Sequence, residues 1–319
     1  MVAPPATTVN GAAAAITMNT TGHTSRRRDG GQLAEPGKDM PRGTIEHMPM
    51  QVSSDHQTGE DGVETVKPAF LAAIANARQL AGWAAFDTGH HCDAQRHWLS
   101  AERTAVAASD LRLAARVRYC QARQFQHLHH NGDALDTLRL AHDRLAGRAT
   151  PAINAMLHGA EAASLAARGD RQEALTALGA ATDALDRIDP DREPEWMRFY
   201  NRGEFLAQYG RVHRDLARTN ERHGKAAVRW VSEAIAAFGP QNVRSTVLNE
   251  VGLCSGLFLA GEPQEAVTIG TRAIQHANQL TSQRVHDRIH NLRRDMHRYA
   301  TDPQVAEFSR TLSTIGPAA

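Results

Sequence analysis

From residue 69 almost to the C-terminus, apolar residues return every three or four positions, the spacing that lines one face of an α-helix. In the first such stretch, residues 69–87, the pattern is carried by Leu71, Ile74, Leu80, Trp83 and Phe86. Pro68 opens it, since proline is tolerated in a first helical turn. Gly89 closes it, and a second helix is predicted over about 92–108. The unit then recurs. Gly89 is followed at plus five, nine and twelve by Ala94, Trp98 and Ala101. Gly169 is followed in the same way by Ala174, Leu178 and Ala181, and Gly261 by Ala266, Gly270 and Ala273. Looser copies use Asn131–Gly132 with Leu135, Leu138 and Ala141, and His223–Gly224 with Ala227, Val231 and Ala234. Each copy is helix, tight turn, helix. Small residues let the two helices approach closely, and the larger residue fills the gap to the next hairpin. A lone hairpin cannot bury its apolar face, so hairpins stack. The pattern predicts an all-α solenoid of about five helical hairpins.

Residues 1–66 lack this periodicity and are rich in Gly, Pro, Ser, Thr and Asn. Such a stretch buries too little surface to offset its ordering entropy and is read as a disordered tail. Its Arg26, Arg27 and Arg28 read as a solvated charge run, and Met40, Met48 and Met50 leave room for a downstream start. The domain division is therefore 1–66 and 67–315. Pro190 and Pro194 must sit in a loop. The helix from about Glu195 is expected to be long, or kinked at Gly203 or Gly210.

Composition narrows the function. With 36 basic and 35 acidic residues the net charge is +1, which argues against a nucleic-acid clamp. Aromatic residues make up only 5%, so the core must be built from small side chains. The three cysteines, Cys92, Cys120 and Cys254, form no CxxC pair and suit reduced thiols in a cytoplasmic protein. No apolar run reaches the length of a membrane span, so no membrane partner is expected.

Candidate chemistry is sparse. His286 and His290 are four apart and His297 follows seven later, but no glutamate completes a zinc motif and Arg293 and Arg294 lie beside them. His127, His129 and His130 precede a turn and read as helix C-terminal residues. His90, His91 and Cys92 could give a Cys–His pair, yet no orienting group is evident. There is no Gly-rich phosphate loop and no GxSxG. The chain is read as non-catalytic, without cofactor or metal. Arg284, Arg288, Arg293, Arg294 and Arg298 alternate with Val285, Ile289, Leu292, Met296 and Tyr299, which suggests a C-terminal capping helix with a polar outer face. Groove residues are expected from the first helix of each hairpin: Asn76, Gln79 and Phe86; Tyr119, Gln126 and His129; Asn201, Glu204 and Gln208. Amides suit a peptide backbone, and rings suit side-chain anchors.

Residues 80–101 (LAGWAAFDTGHHCDAQRHWLSA) resemble the opening of the C-terminal tetratricopeptide-repeat region of actinobacterial helix-turn-helix (XRE-type) transcriptional regulators. Asp189, Pro190, Pro194, Trp196, Phe199 and Tyr200 agree with it, as does the basic stretch 284–299. The resemblance spans about 68–312 and implies a tetratricopeptide-like sensor module. Residues 1–66 show no helix-turn-helix domain. The implied function is a regulatory protein that binds a peptide or protein partner in a concave groove, in transcriptional or developmental and secondary-metabolism control. The partner set extends to a separate DNA-binding regulator and to a homodimer. The alternatives are a small-molecule receptor or atypical enzyme with a pocket near Trp196 and Tyr200, and a DNA binder acting through the basic C-terminal helix.

Overall fold

The computed structural model describes residues 60–314 except 240, and side chains over 67–313. Most of the expected tail, with its arginine triplet, lies outside the described residues. Among those described, the chain is all-helical, with no strand. Ten helices form five consecutive pairs: α1 (Glu60–Asp87) with α2 (His91–Ala107), α3 (Leu111–His127) with α4 (Asn131–Leu145), α5 (Pro151–Arg168) with α6 (Arg171–Leu185), α7 (Arg202–Ala217) with α8 (Gly224–Ala237), and α9 (Val243–Ala260) with α10 (Pro263–Ala277). The first helices also touch one another in order, α1 to α3, α3 to α5, α5 to α7 and α7 to α9. They make a continuous inner layer, and the second helices lie outside it. After the pairs come α11 (Gln283–His290), α12 (Leu292–Met296) and α13 (Pro303–Thr314).

The small-residue register explains the pairing. Ala94, Ala101, Ala134, Ala141, Ala174, Ala181, Ala227, Ala234, Ala266 and Ala273 are all fully buried, as are Trp98 and Leu138 between their alanines. Trp98 lies against Gly82, where an added methyl group would collide with the indole, and its Nε1 donates to the Gln79 carbonyl at 3.2 Å. The turns use left-handed residues, mostly glycine: Gly89, Gly169 and Gly261 have φ of 84°, 91° and 91°. In the second pair the left-handed residue is His129 (φ 64°), and Gly132 lies within α4. Gly224 serves close approach, since a Cβ there would meet the Ala260 backbone at 2.9 Å.

Three local expectations are corrected. α1 begins at Glu60, so Pro68 lies inside it. The segment from Glu195 is no long helix: a short 3-10 turn, Glu195–Phe199, precedes α7, and the Asn201 side chain caps α7 by accepting from Glu204 N at 3.2 Å. The basic stretch 284–299 is no single capping helix, because it breaks at Asn291 between α11 and α12.

α11 runs from α9 and α10 back to α1. There the Asp87 carboxylate, at the end of α1, meets Arg244 of α9 at 2.9 Å and Arg284 of α11 at 3.2 Å. Arg284 also covers the rings of Trp83 and Phe86, 5.0 and 5.2 Å from their centroids. His127 Nε2 of α3 lies 3.0 Å from Asp287 of α11. The first and last parts of the array are joined across the inner face.

The last pair has Gly270 where the others carry Trp98, Leu138, Leu178 or Val231. The reason is Phe308 of α13, whose ring occupies that space; a Cβ on Gly270 would also come 2.8 Å from Cys254 Sγ. Gly270→Ala is expected to lower unfolding stability by about 1–3 kcal/mol through overpacking. Gly179→Ala in α6, where an added Cβ meets nothing within 4 Å, is expected to raise it by about 0.5–1 kcal/mol. Urea unfolding midpoints of both variants check the pair.

Candidate functional site

The inner layer walls a cavity of about 450 Å³, lined from α1, α3, α7, α9, α11 and the segment before α7, with Val231 of α8 also reaching it. Helical spacing selects the lining. On α3, Arg116, Tyr119, Cys120 and Arg123 fall on one face; on α7, Glu204, Gln208, Arg211 and Arg214 do so; on α9, Ser245, Leu248, Asn249 and Gly252. α11 contributes Arg284 and Arg288, and the 3-10 turn contributes Arg198 and Phe199.

Five predicted groove residues line this cavity: Gln79, Tyr119, Asn201, Glu204 and Gln208. Gln79 is buried; its Nε2 donates to Cys120 Sγ at 3.1 Å, and its Oε1 has no hydrogen-bond partner. Gln208 Nε2 donates to the Tyr119 hydroxyl at 3.4 Å, and its Oε1 accepts from the Tyr200 hydroxyl at 2.7 Å. Glu204 accepts from Ser245 Oγ at 3.2 Å. Gln126 and His129 line an adjoining cavity of about 550 Å³, which shares Arg211, Arg214 and Arg288 with the first. Asn76 sits behind the wall and accepts from Arg116 Nη1 at 3.0 Å. Phe86 does not line either cavity. It is 1% exposed, with Trp83, Trp98 and His127 around it, because an aromatic on the pairing face of α1 is needed as core.

The feature that reading by amides and rings missed is arginine. Eight line the first cavity, beside the single carboxylate of Glu204. The helical register already put Arg116, Arg123, Arg211 and Arg214 on the inner faces; arginine was passed over because it is usually a surface residue. Burial pulls Arg211 down to about 9, with Arg123 adding to the effect. Burial likewise pulls Arg284 down to about 10 against the pull of Asp87. Arg288 lies well below the guanidinium range, through burial and then the charges of Arg211, Arg214, Arg123 and Arg284. Arg116 stacks between Trp196 and Phe199, 5.2 and 5.0 Å from their centroids. The buried Cys120 thiol is pushed up to about 11 by desolvation, so it is not a poised nucleophile.

The basic C-terminal stretch divides. Arg284 and Arg288 face the cavity, whereas Arg293, Arg294 and Arg298 are exposed, Arg298 pairing with Glu221 at 2.8 Å. His286, His290 and His297 form no metal-ligand cluster among the described residues. His142 of α4 with His158 and Glu161 of α5 has the donor set and proximity that could hold a divalent ion, the two rings stacking at 4.5 Å. Of the turn trio, His91 is engaged by Gln124, whose Nε2 lies 3.0 Å from its Nδ1, and Cys92 is exposed.

Below the cavity, carboxylates staple the arginines. Asp215 lies 3.0 Å from Arg214 and 3.8 Å from Arg211, and also pairs with Arg218. Arg218 makes a two-pronged contact with Asp295 of α12 at 2.8 and 2.8 Å. Burial opposes ionisation of Asp215 and Asp295, but their arginines outweigh it and hold both below the usual carboxylate range.

No protein-family model matches this chain. No curated protein sequence matches it either.

Because folding depresses these two carboxyls, the unfolded chain takes up protons first as pH falls. Their contribution to stability is complete well above about pH 4, the unfolded value, declines below it, and is fully lost only when pH has fallen through the lower folded values. The urea midpoint is expected to ease downward from pH 7 to 5, because buried histidines, His213 and His127 among them, are held below the free imidazole value and the unfolded chain protonates first, and then to fall steeply from 4 to 3. Asp215→Asn is expected to lower the midpoint at pH 7 and to flatten that acid slope.

Proposed function

We propose that this chain is a non-catalytic receptor built as a tetratricopeptide-like α-solenoid, with α13 as its terminal cap, and that it holds a peptide segment of a protein partner in the inner cavity. The observation that carries this reading is the lining. Amides from four elements (Gln79, Asn201, Gln208 and Asn249) surround a space bordered by Trp83, Tyr119 and Phe199. Amide groups donate and accept, as a peptide backbone demands, and rings provide rigid anchoring surface. The unpartnered Gln79 Oε1 is an acceptor suited to a peptide N–H. Two adjoining cavities that share three arginines suit an extended ligand better than a compact one.

The regulatory assignment, to transcriptional or developmental and secondary-metabolism control, rests on the resemblance of residues 80–101 and its companion motifs alone. The pocket near Trp196 and Tyr200 merges with this reading: Phe199 is at the cavity, Trp196 lies over Arg116, and Tyr200 is buried beneath Gln208.

Affinity selection of random twelve-residue peptides on the full chain tests it, followed by calorimetry on the recovered sequences. Phe199, 36% exposed, is the anchor to remove. Phe199→Ala is expected to weaken the recovered peptides by about tenfold or more while the urea midpoint moves little. Recovery of no peptide, or equal affinity for the variant, speaks against the reading.

A further inference from the structure

The arginines of the cavity outnumber the carboxylates that could neutralise them: Glu204 alone lines it, bonded by Ser245, and the other carboxylates nearby are already engaged. Asp87 holds Arg244 and Arg284. Asp215 holds Arg214 and Arg218, and Asp295 holds Arg218 again. Asp287 is taken by His127 and by Gln283 Nε2 at 2.8 Å. Three guanidinium groups at the cavity remain without a carboxylate within 4 Å. Arg116 donates to the Asn76 amide. Arg123 donates to the Tyr119 hydroxyl at 3.2 Å and feels Glu204 only at longer range. Arg288 has neither an ion pair nor a hydrogen bond to a described residue, and four other arginines act on it.

A guanidinium does not shed its proton in a protein. A withdrawn and unpaired charge among like charges is therefore a standing cost to the fold. The same arrangement is a preformed site for anions, because arginine forks match carboxylates and little reorganisation is needed when one arrives.

We propose that the peptide taken by this cavity is acidic, with its carboxylates paired to Arg288, Arg123 and Arg116. This deepens the peptide-receptor reading and rests on it. Spacing favours a peptide over one phosphate-sized ion. Arg116 and Arg123 lie two turns apart on α3, a rise of about 10 Å. An extended chain covers that in about three residues. Arg288, on α11 and shared with the second cavity, continues the line beyond one compact pocket.

The experiment has three arms on the full chain. In the first, peptides selected from a random twelve-residue library at about 0.15 M salt are scored for composition and titrated against wild type, Arg288→Gln and Arg123→Gln. Enrichment in Asp and Glu, with affinity at least tenfold weaker in each variant and steeply reduced by salt, supports the proposal. Neutral or basic peptides overturn it while leaving the peptide-receptor reading in place. So does equal affinity for both variants. In the second arm, tripolyphosphate is titrated against thermal unfolding. Protection by tripolyphosphate with no peptide recovered overturns both readings in favour of a small polyanion. An arm free of ligand checks the charge argument itself. Arg288→Met should leave the urea midpoint unchanged or raise it, because it removes an uncompensated charge. A marked fall would mean that Arg288 is held by the fold, and would sink the proposal.

Discussion

The Asp87 carboxylate decides what kind of object this array is. Paired helices stacked in register make a curved sheet of helices with two free ends. Here one buried carboxylate at the end of α1 receives arginines from α9 and α11, more than 150 residues away in the chain. The inner layer of helices thereby encloses a walled space. Arg284 has little freedom in this: Asp87 holds its charge, while Trp83 and Phe86 hold its plane. A buried ion pair of this kind contributes little net stability, yet losing one partner leaves the other charge stranded. Its main effect is to fix geometry, bringing Arg288, four residues further along α11, to face α3 and α7.

The near-zero net charge of the chain conceals a segregation. The inner helices carry arginine toward the cavity, where Glu204 is the one carboxylate in the lining, while Asp87 and Asp215 are bound to particular arginines. Asp215 and Asp295 connect α7 to α12 through Arg218, so the same residues that hold the C-terminal elements in place also set the floor of the positive region. Architecture and electrostatics are thus one network. The surplus at Arg116, Arg123 and Arg288 is what remains after that network has satisfied its own needs.

Much of the fold was legible in the chain. The glycine-to-alanine intervals around Gly89, Gly169 and Gly261 located three pairs, and the buried alanines show why: they are contact points between helices, so they tolerate no drift in register. Gly270 looked like a defect in that pattern and became intelligible only with Phe308 beside it, a contact made 38 residues further along the chain that no local period can announce. The break at Tyr200–Asn201 was missed because hydrophobic spacing runs through it, although an asparagine capping Glu204 is a recognisable local sign. Gln79, Tyr119, Asn201, Glu204 and Gln208 lie at the cavity because helical spacing puts them on inner faces. Phe86 followed the same spacing and is core, since the inner and pairing faces of α1 lie side by side and a ring is useful on either.

What the spacing did not convey was that α11 faces inward. Arg284, Arg288, Arg293, Arg294 and Arg298 read as the polar outer side of one capping helix. The break at Asn291 separates them, turning Arg284 and Arg288 into the first cavity, placing Arg294 at the rim of the second and leaving Arg293 and Arg298 outside. That single turn changes the chemistry available to the molecule, from a basic outer ridge suited to a phosphate backbone to a positive interior suited to a threaded acidic segment. It also ties occupancy to closure. α11 carries Arg284 to Asp87 and Arg288 to the cavity, so a ligand that pairs with Arg288 acts on the element that joins the two ends. Differential affinity for the closed arrangement would then shift the population toward it, which would give the proposed receptor a physical means of signalling that it is filled.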